Sequence, residues 1–232
     1  MTLLRGVDGC RAGWLCVETR QGEEQVQVRL CRSAAELFEG AEPAVTAIDM
    51  PIGLGENGPR PCDQAARRFL RQRGSSVFPA PVRAVLAATT YAQACELSLA
   101  AQGRKLSKQS YFLLPKIREL DGLLRADPLL AAAVMEAHPE VCFARWNGDT
   151  PMLHAKKTAA GRTERLALVE GRFPDIASSV RARFLKREVA DDDILDALAT
   201  LHTASRLADG AAVAFGDADS RDSAGLPMRI WG

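Results

Sequence analysis

Two short apolar runs near the start of the chain each break off at an aspartate. Leu3-Leu4-Arg5-Gly6-Val7 stops at Asp8, and Val45-Thr46-Ala47-Ile48 stops at Asp49. A charge at the end of a buried strand is costly unless something pairs with it, so this pattern restricts the folds open to the chain. Residues 3–8 and 14–18 read as two strands joined by a tight turn from Gly9 to Gly13. Gln25 to Cys31 alternates polar and apolar, which predicts a third strand with one wet face. Ser33 caps a short helix running to Phe38, with Glu36 three residues on as a capping box. Ala44 to Ile48 is then a fourth, buried strand that stops at Asp49 and Pro51. Adjacent parallel strands bring such acids together at the carboxyl edge of a sheet, where open α/β sheets bind ligands. Two carboxylates in contact repel unless they are protonated or bridged by a cation. Mg²⁺ or Mn²⁺ is the natural bridge, since hard cations prefer carboxylate and water oxygens.

The rest of the chain reads as mostly helical. Residues 60–130 look like a helical insertion, with apolar spacing in Asp63 to Arg73 and in Leu113 to Leu124, and a proline-bearing loop from Gly74 to Pro81. Ala131 to Ala137 fits strand or helix, and Pro139 argues for a strand ending at Glu136 to His138. Gly161 to Glu170 is helical, and Asp191 to Ala208 is a stronger helix, its Ile194, Leu195, Leu198, Leu201 and Leu207 keeping the 3.6 period. Ala211 to Phe215 adds a last strand. With no repeat and no composition break, the expected organisation is one domain over 1–232 with a helical insertion at about 55–130.

Bulk properties narrow the function classes. A hydrophobic content of 47% with 25% charged residues excludes disorder. The longest apolar runs, such as Leu129 to Met135, fall far short of the ~20 residues that cross a bilayer. No signal-peptide pattern precedes Val7-Asp8-Gly9, so a cytoplasmic location and no membrane partner are expected. The six cysteines form no C-x-x-C pair and read as buried reduced thiols. A net charge of +1 excludes a uniformly basic polyanion binder. Charge is nonetheless clustered: Arg60, Arg67, Arg68, Arg71 and Arg73 in one segment, Lys105, Lys108, Lys116 and Arg118 in another, against five carboxylates from Glu188 to Asp196. A basic face beside an acidic pocket suits a polyanion held through metal, and solvated helix faces explain the same charges.

Within the acidic run, Asp192 and Asp193 both share a helix face with Asp196. Helix-dipole compensation accounts for Asp191 to Asp193. It accounts poorly for Asp196, which lies deeper between Leu195 and Ala197.

The segment Asp193 to Ala199 resembles the last-helix D-x-x-D-A pattern of resolvases in the ribonuclease H superfamily, with Asp8 and Asp49 where that superfamily keeps its first two acids. The whole chain resembles the domain-of-unknown-function 429 family, described as predicted ribonuclease H-like nucleases. The matching stretches are G-V-D-G-C-R-A-G-W at 6–14, I-D-M-P-I-G-L at 48–54, S-S-V-F-P-A-P-V-R at 75–83, L-S-K-Q at 106–109, E-A-H-P-E-V-C-F at 136–143 and K-K-T at 156–158. The resemblance implies an α/β, ribonuclease H-like mixed sheet flanked by helices, here with a helical insertion after the fourth strand. It further implies that Asp8, Asp49 and one or both of Asp193 and Asp196 hold Mg²⁺ or Mn²⁺, with Glu136 a further catalytic carboxylate. Nuclease domains of that superfamily do not generally carry the long insertion after Asp49, which would close the groove toward a small substrate.

The expected activity is phosphodiester hydrolysis by a two-metal mechanism. Arg83, Lys108, Gln109, His138, Glu140, Lys156 and Lys157 are the substrate-binding candidates. His138 also reads as a hydrogen-bonded structural histidine and Glu140 as a helix cap. The partner is nucleic acid or a phosphorylated small molecule. Two other functions fit the residues. Phosphotransfer to a small molecule would use Asp8 to Gly13 as a phosphate hairpin, and a non-catalytic nucleic-acid-binding module would need no metal. Gly53 to Gly58 formally matches G-x-G-x-x-G, but Pro59 and Pro61 follow and no acid lies about twenty residues on, against a dinucleotide site.

Overall fold

The N-terminal alternation builds a sheet. In a computed structural model that describes every residue except 41 and 43, β1 (Leu3–Cys10) turns directly into the antiparallel β2 (Gly13–Arg20), and β3 (Gln27–Cys31) pairs antiparallel with β2. The helix α1 (Ala34–Phe38) follows, its Ser33 hydroxyl accepting from the Glu36 amide. Next, β4 (Ala44–Asp49) lies parallel to β1, and β5 (Val134–Glu136) lies parallel to β4. The order β3-β2-β1-β4-β5 is a mixed five-stranded sheet flanked by helices, compatible with a ribonuclease H-like arrangement.

Between β4 and β5 come α2 (Pro61–Leu70), two 3₁₀ turns, α3 (Tyr91–Gln102), α4 (Lys108–Ala126) and α5 (Pro128–Ala133). After β5 come α6 (Pro139–Trp146), α7 (Ala159–Arg172), α8 (Ile176–Arg183) and α9 (Asp191–Ala208). A separate two-residue ladder joins β6 (Ala214–Phe215) to β7 (Ile230–Trp231). No helix among the described residues is long and apolar enough to cross a membrane. All six cysteines are free and buried.

Several local expectations change. The ambiguous segment at 131–137 is both things in turn: α5 ends at Ala133 and β5 begins at Val134. Pro139 ends the strand by opening α6, where its missing N–H is no loss in the first turn. The last strand shrinks from 211–215 to Ala214–Phe215.

Strand periodicity sorts the core onto two faces. Leu4, Ala47, Leu15 and Val17 pack with Leu198 and Leu201 of α9. Val7, Ile48, Trp14 and Cys16 pack with Ile117 and Leu120 of α4. Because successive side chains alternate, residues 4, 6 and 8 of β1 and 47 and 49 of β4 share the α9 face.

Gly6 sets how closely α9 approaches. A Cβ there would stand 2.3 Å from the Leu201 nitrogen and 2.4 Å from the Ala197 carbonyl oxygen, both backbone atoms that cannot turn aside. Gly6→Ala therefore destabilises the protein by about 3 kcal/mol or more, at the top of the overpacking range. Urea unfolding followed by circular dichroism measures this. A loss below about 1 kcal/mol would mean the helix slides away freely.

Candidate metal centre

The parallel register that pairs β1 with β4 sets Asp8 directly beside Asp49, both on the α9 face. Asp196 enters from the second turn of α9, whose Leu195, Ala197 and Leu198 are buried and fix its rotation. One carboxylate oxygen from each of Asp8, Asp49 and Asp196 lies within 4.8 Å of the others. Asp8 and Asp196 are buried, and Asp49 is half-buried.

The electrostatics follow from that crowding. Burial, then Asp49 and then Asp196, hold the Asp8 carboxyl well above the usual carboxylate range. Burial and the charge of Asp196 push Asp49 up to about 7. Asp196 is also raised, mainly by burial, against the pull of Lys156. The Lys156 ammonium donates to Asp196 Oδ2 at 2.7 Å and lies 3.8 Å from Asp192 Oδ2. Although burial disfavours its charge, these acids keep Lys156 protonated.

A divalent cation fits this donor set. Asp196 Oδ1 is buried and has no hydrogen-bond partner among the described residues, which is costly for a carboxylate oxygen unless a cation meets it. Three converging carboxylates are the hard-oxygen ligands that Mg²⁺ and Mn²⁺ take.

A family model described as a protein of unknown function, DUF429, matches residues 6–221. The chain belongs to the DUF429 family. No curated protein and no solved structure matches it.

Not every candidate acid of this DUF429 chain joins the cluster. Asp193 stays in the first turn of α9, where its Oδ2 accepts from the Ala190 amide at 2.7 Å. Burial raises its carboxyl to about 6. Glu136 is turned the other way. Its strand pairs it with Ile48, on the opposite face from Asp49, and there it meets Arg60. Arg60 Nη2 donates to Glu136 Oε1 at 2.6 Å, and the Ile52 amide donates to Oε2 at 2.7 Å.

The substrate-binding candidates divide in the same manner. Arg83 is bound to Asp121 at 2.8 Å and to Asp222, which ties the insertion to the C-terminal segment. Glu140 is held by Arg165, whose Nη2 donates to Oε1 and Oε2 at 2.7 and 2.8 Å and whose Nε donates to Oε1 at 3.0 Å. His138 Nε2 lies 3.3 Å from the Ser76 carbonyl oxygen, and burial pushes the imidazole down to about 4. Lys108 and Gln109 are exposed in the first turn of α4. Lys156 and Lys157 line a cleft of about 310 Å³ with Arg162, Arg165, Asp192 and Asp196. Arg165 is buried, and its neighbourhood in the sequence does not mark it. The only trace it leaves there is a position one turn after Gly161, whose carbonyl it binds at 2.7 Å.

Metal binding by this cluster is expected to depend on pH with a definite sign. A cation must displace the protons that raised carboxyls retain. Between pH 8 and pH 6, passing through the Asp49 value of about 7, Mn²⁺ affinity falls, approaching about tenfold per pH unit for each proton displaced. Without metal the folded state binds more protons than the unfolded one in this range. The cluster therefore takes away stability as pH rises from the unfolded carboxyl value through about 7. Calorimetry in buffers of different ionisation enthalpy reads the proton release directly. A pH-independent affinity would show that these acids are already ionised.

Proposed function

We propose that this protein is a metal-dependent hydrolase of phosphodiester bonds, a nuclease in class. The observation that supports it most is the triad Asp8, Asp49 and Asp196, with ligand atoms within 4.8 Å and Asp196 Oδ1 left without a partner among the described residues. A bound divalent ion would supply charge neutralisation at the phosphoryl oxygens and a water of lowered pKa. The chain's own residues supply the rest. Asp8, Asp49 and Asp196 hold the ion, and Asp193 stands one turn away, fixing the start of α9. Lys156 stays cationic beside the triad, where it would meet a non-bridging phosphate oxygen, with exposed Lys157 next to it. Such contacts position a phosphate without reading a base.

Incubating labelled single- and double-stranded RNA and DNA with Mg²⁺ or Mn²⁺ tests the reading. Cleavage that EDTA abolishes and Asp196→Asn removes is expected. Failure of the wild type to bind either metal, alone or with substrate, would overturn it.

One observation favours a second reading, hydrolysis or transfer at a phosphorylated small molecule. The cleft beside Asp196 is about 310 Å³, at the small end of ligand pockets. Thermal stabilisation by nucleotides with metal, without cleavage of polymers, would select it.

A further inference from the structure

A larger cleft, about 520 Å³, opens on the other face of the sheet. Its apolar wall is Ile52, Leu124, Val134 and Leu226, all belonging to the core beneath α4 rather than to the core beneath α9. Asp8, Asp49 and Asp196 do not line it. Trp231, half-buried at the end of β7, adds an aromatic surface.

The charges around this wall are one-sided. Arg125, Arg221 and Arg229 line the cleft, and Glu136 is the one acidic residue in its lining. That acid is neutralised from behind by Arg60, which bonds both of its oxygens at 2.6 and 2.7 Å. Arg125 has Asp121 at 3.6 Å. Among the described residues the Arg221 side chain bonds only the Gly225 carbonyl oxygen, at 3.0 Å. Among the described residues Arg229 has no carboxylate partner, and its Nε is buried without any hydrogen bond. Its guanidinium carbon stands 5.8 Å from the centre of the Trp231 ring. Buried donors nearly always find an acceptor, and a planar guanidinium matches the two oxygens of a carboxylate or phosphate.

We propose that this cleft binds a small organic oxyanion. The carboxylate or phosphate head meets Arg229 and Arg221, and an apolar or planar body lies on Leu124, Val134 and Leu226 beside Trp231. The volume suits a ligand of that size, since such pockets run about 300–1,000 Å³. The site does not depend on the metal reading, because no residue is shared with the triad.

The test is calorimetry and thermal shift on the full chain without added metal. The probes are adenosine and uridine monophosphate for the phosphate source, 2-naphthoate for the carboxylate source, and inorganic phosphate alone. At least one organic probe is expected to bind at least tenfold more tightly than inorganic phosphate, and the tighter head names the source. Arg221→Met with Arg229→Met should cost that probe at least tenfold in affinity, whereas Asp8→Asn should bind it as the wild type does. Arg221→Met alone changes an exposed residue and gives a folded intermediate case with a smaller loss. Three results would each overturn the proposal: no binding of any organic probe at millimolar concentration, equal binding by the double variant, or inorganic phosphate binding as tightly as the organic probes.

Discussion

Asp8→Asn abolishes Mn²⁺ binding while leaving the protein folded and, without metal, more stable at pH 8. Asp8 sits at the end of β1 with Asp49 beside it in register and Asp196 above it, and its carboxyl is held well above the usual carboxylate range by desolvation first and those neighbours next. At pH 8 the wild-type cluster bears charge that only Lys156 offsets among the described residues. Asparagine has nearly the same shape and no charge, so repulsion falls and the fold is kept. The same change removes a ligand from the centre of the set. Losing an outer-shell partner already costs about 10–100-fold in metal affinity, so losing a ligand costs about 100-fold or more. Calorimetric titration with Mn²⁺ at pH 8 measures it, and metal-dependent cleavage should disappear in parallel. An Asn variant that binds Mn²⁺ within tenfold of the wild type would remove the triad as the metal site. A variant that binds normally but no longer cleaves would give Asp8 a role other than holding the ion.

How much of this centre was legible follows from what kind of signal each residue leaves. Asp8 and Asp49 were visible because an apolar strand that stops at a charge is a local pattern. Their pairing is not local, yet it follows once β1 and β4 are parallel neighbours. Asp196 was visible as an acid deep in an amphipathic helix, but the spacing alone left Asp192 and Asp193 on the same face. The choice falls to Asp196 because Asp193 spends its carboxylate on the Ala190 amide. Glu136 illustrates the opposite case. Its strand was expected, and its acid was expected to join the others. Register decides otherwise: Glu136 pairs with Ile48 rather than Asp49, and a shift of one residue in a strand reverses the face.

The basic residues were least legible. Arg60 and Arg83 lie in or near segments read as a basic face for a polyanion, but each is committed to buried acids distant in sequence. Residues 91–102 form α3 inside the stretch read as a helical insertion, although their apolar positions do not gather on one face. The mixed-sheet class was legible throughout, since it rests on strand and helix patterns within the first fifty residues and on a family resemblance that the match over 6–221 bears out.

Arg60 yields the largest expected effect on stability. Its side chain is 2% exposed; Nε and Nη2 donate to Asp63 at 3.2 and 2.5 Å, and Nη2 and Nη1 donate to Glu136 at 2.6 and 2.7 Å. It also donates to the carbonyls of Ile52 and Gly53, both at 3.0 Å. One guanidinium thus joins α2, the turn after β4 and the end of β5. Glu136 already sits at about 7, pushed up by burial against the pull of Arg60. Arg60→Ala would leave two acids buried without their counter-charge, and breaking a buried pair on one side costs about 3–5 kcal/mol. Asp63 cannot simply turn outward, because its Oδ2 also accepts from the Ala80 amide at 3.1 Å. The loss should be partly reversible by chemistry rather than by charge. In Arg60→Met with Asp63→Asn and Glu136→Gln, the amide oxygens still accept from Ala80 and Ile52 while no charge is buried. That triple variant is expected to recover more than half of the lost stability in urea unfolding. If Arg60→Ala costs less than about 1 kcal/mol, the acids are solvated or protonated without strain and the network is not what joins these elements. If the single variant is costly and the triple variant, which restores an apolar stem, is no better, the bonds to the Ile52 and Gly53 carbonyls carry the stability instead of the ion pairs.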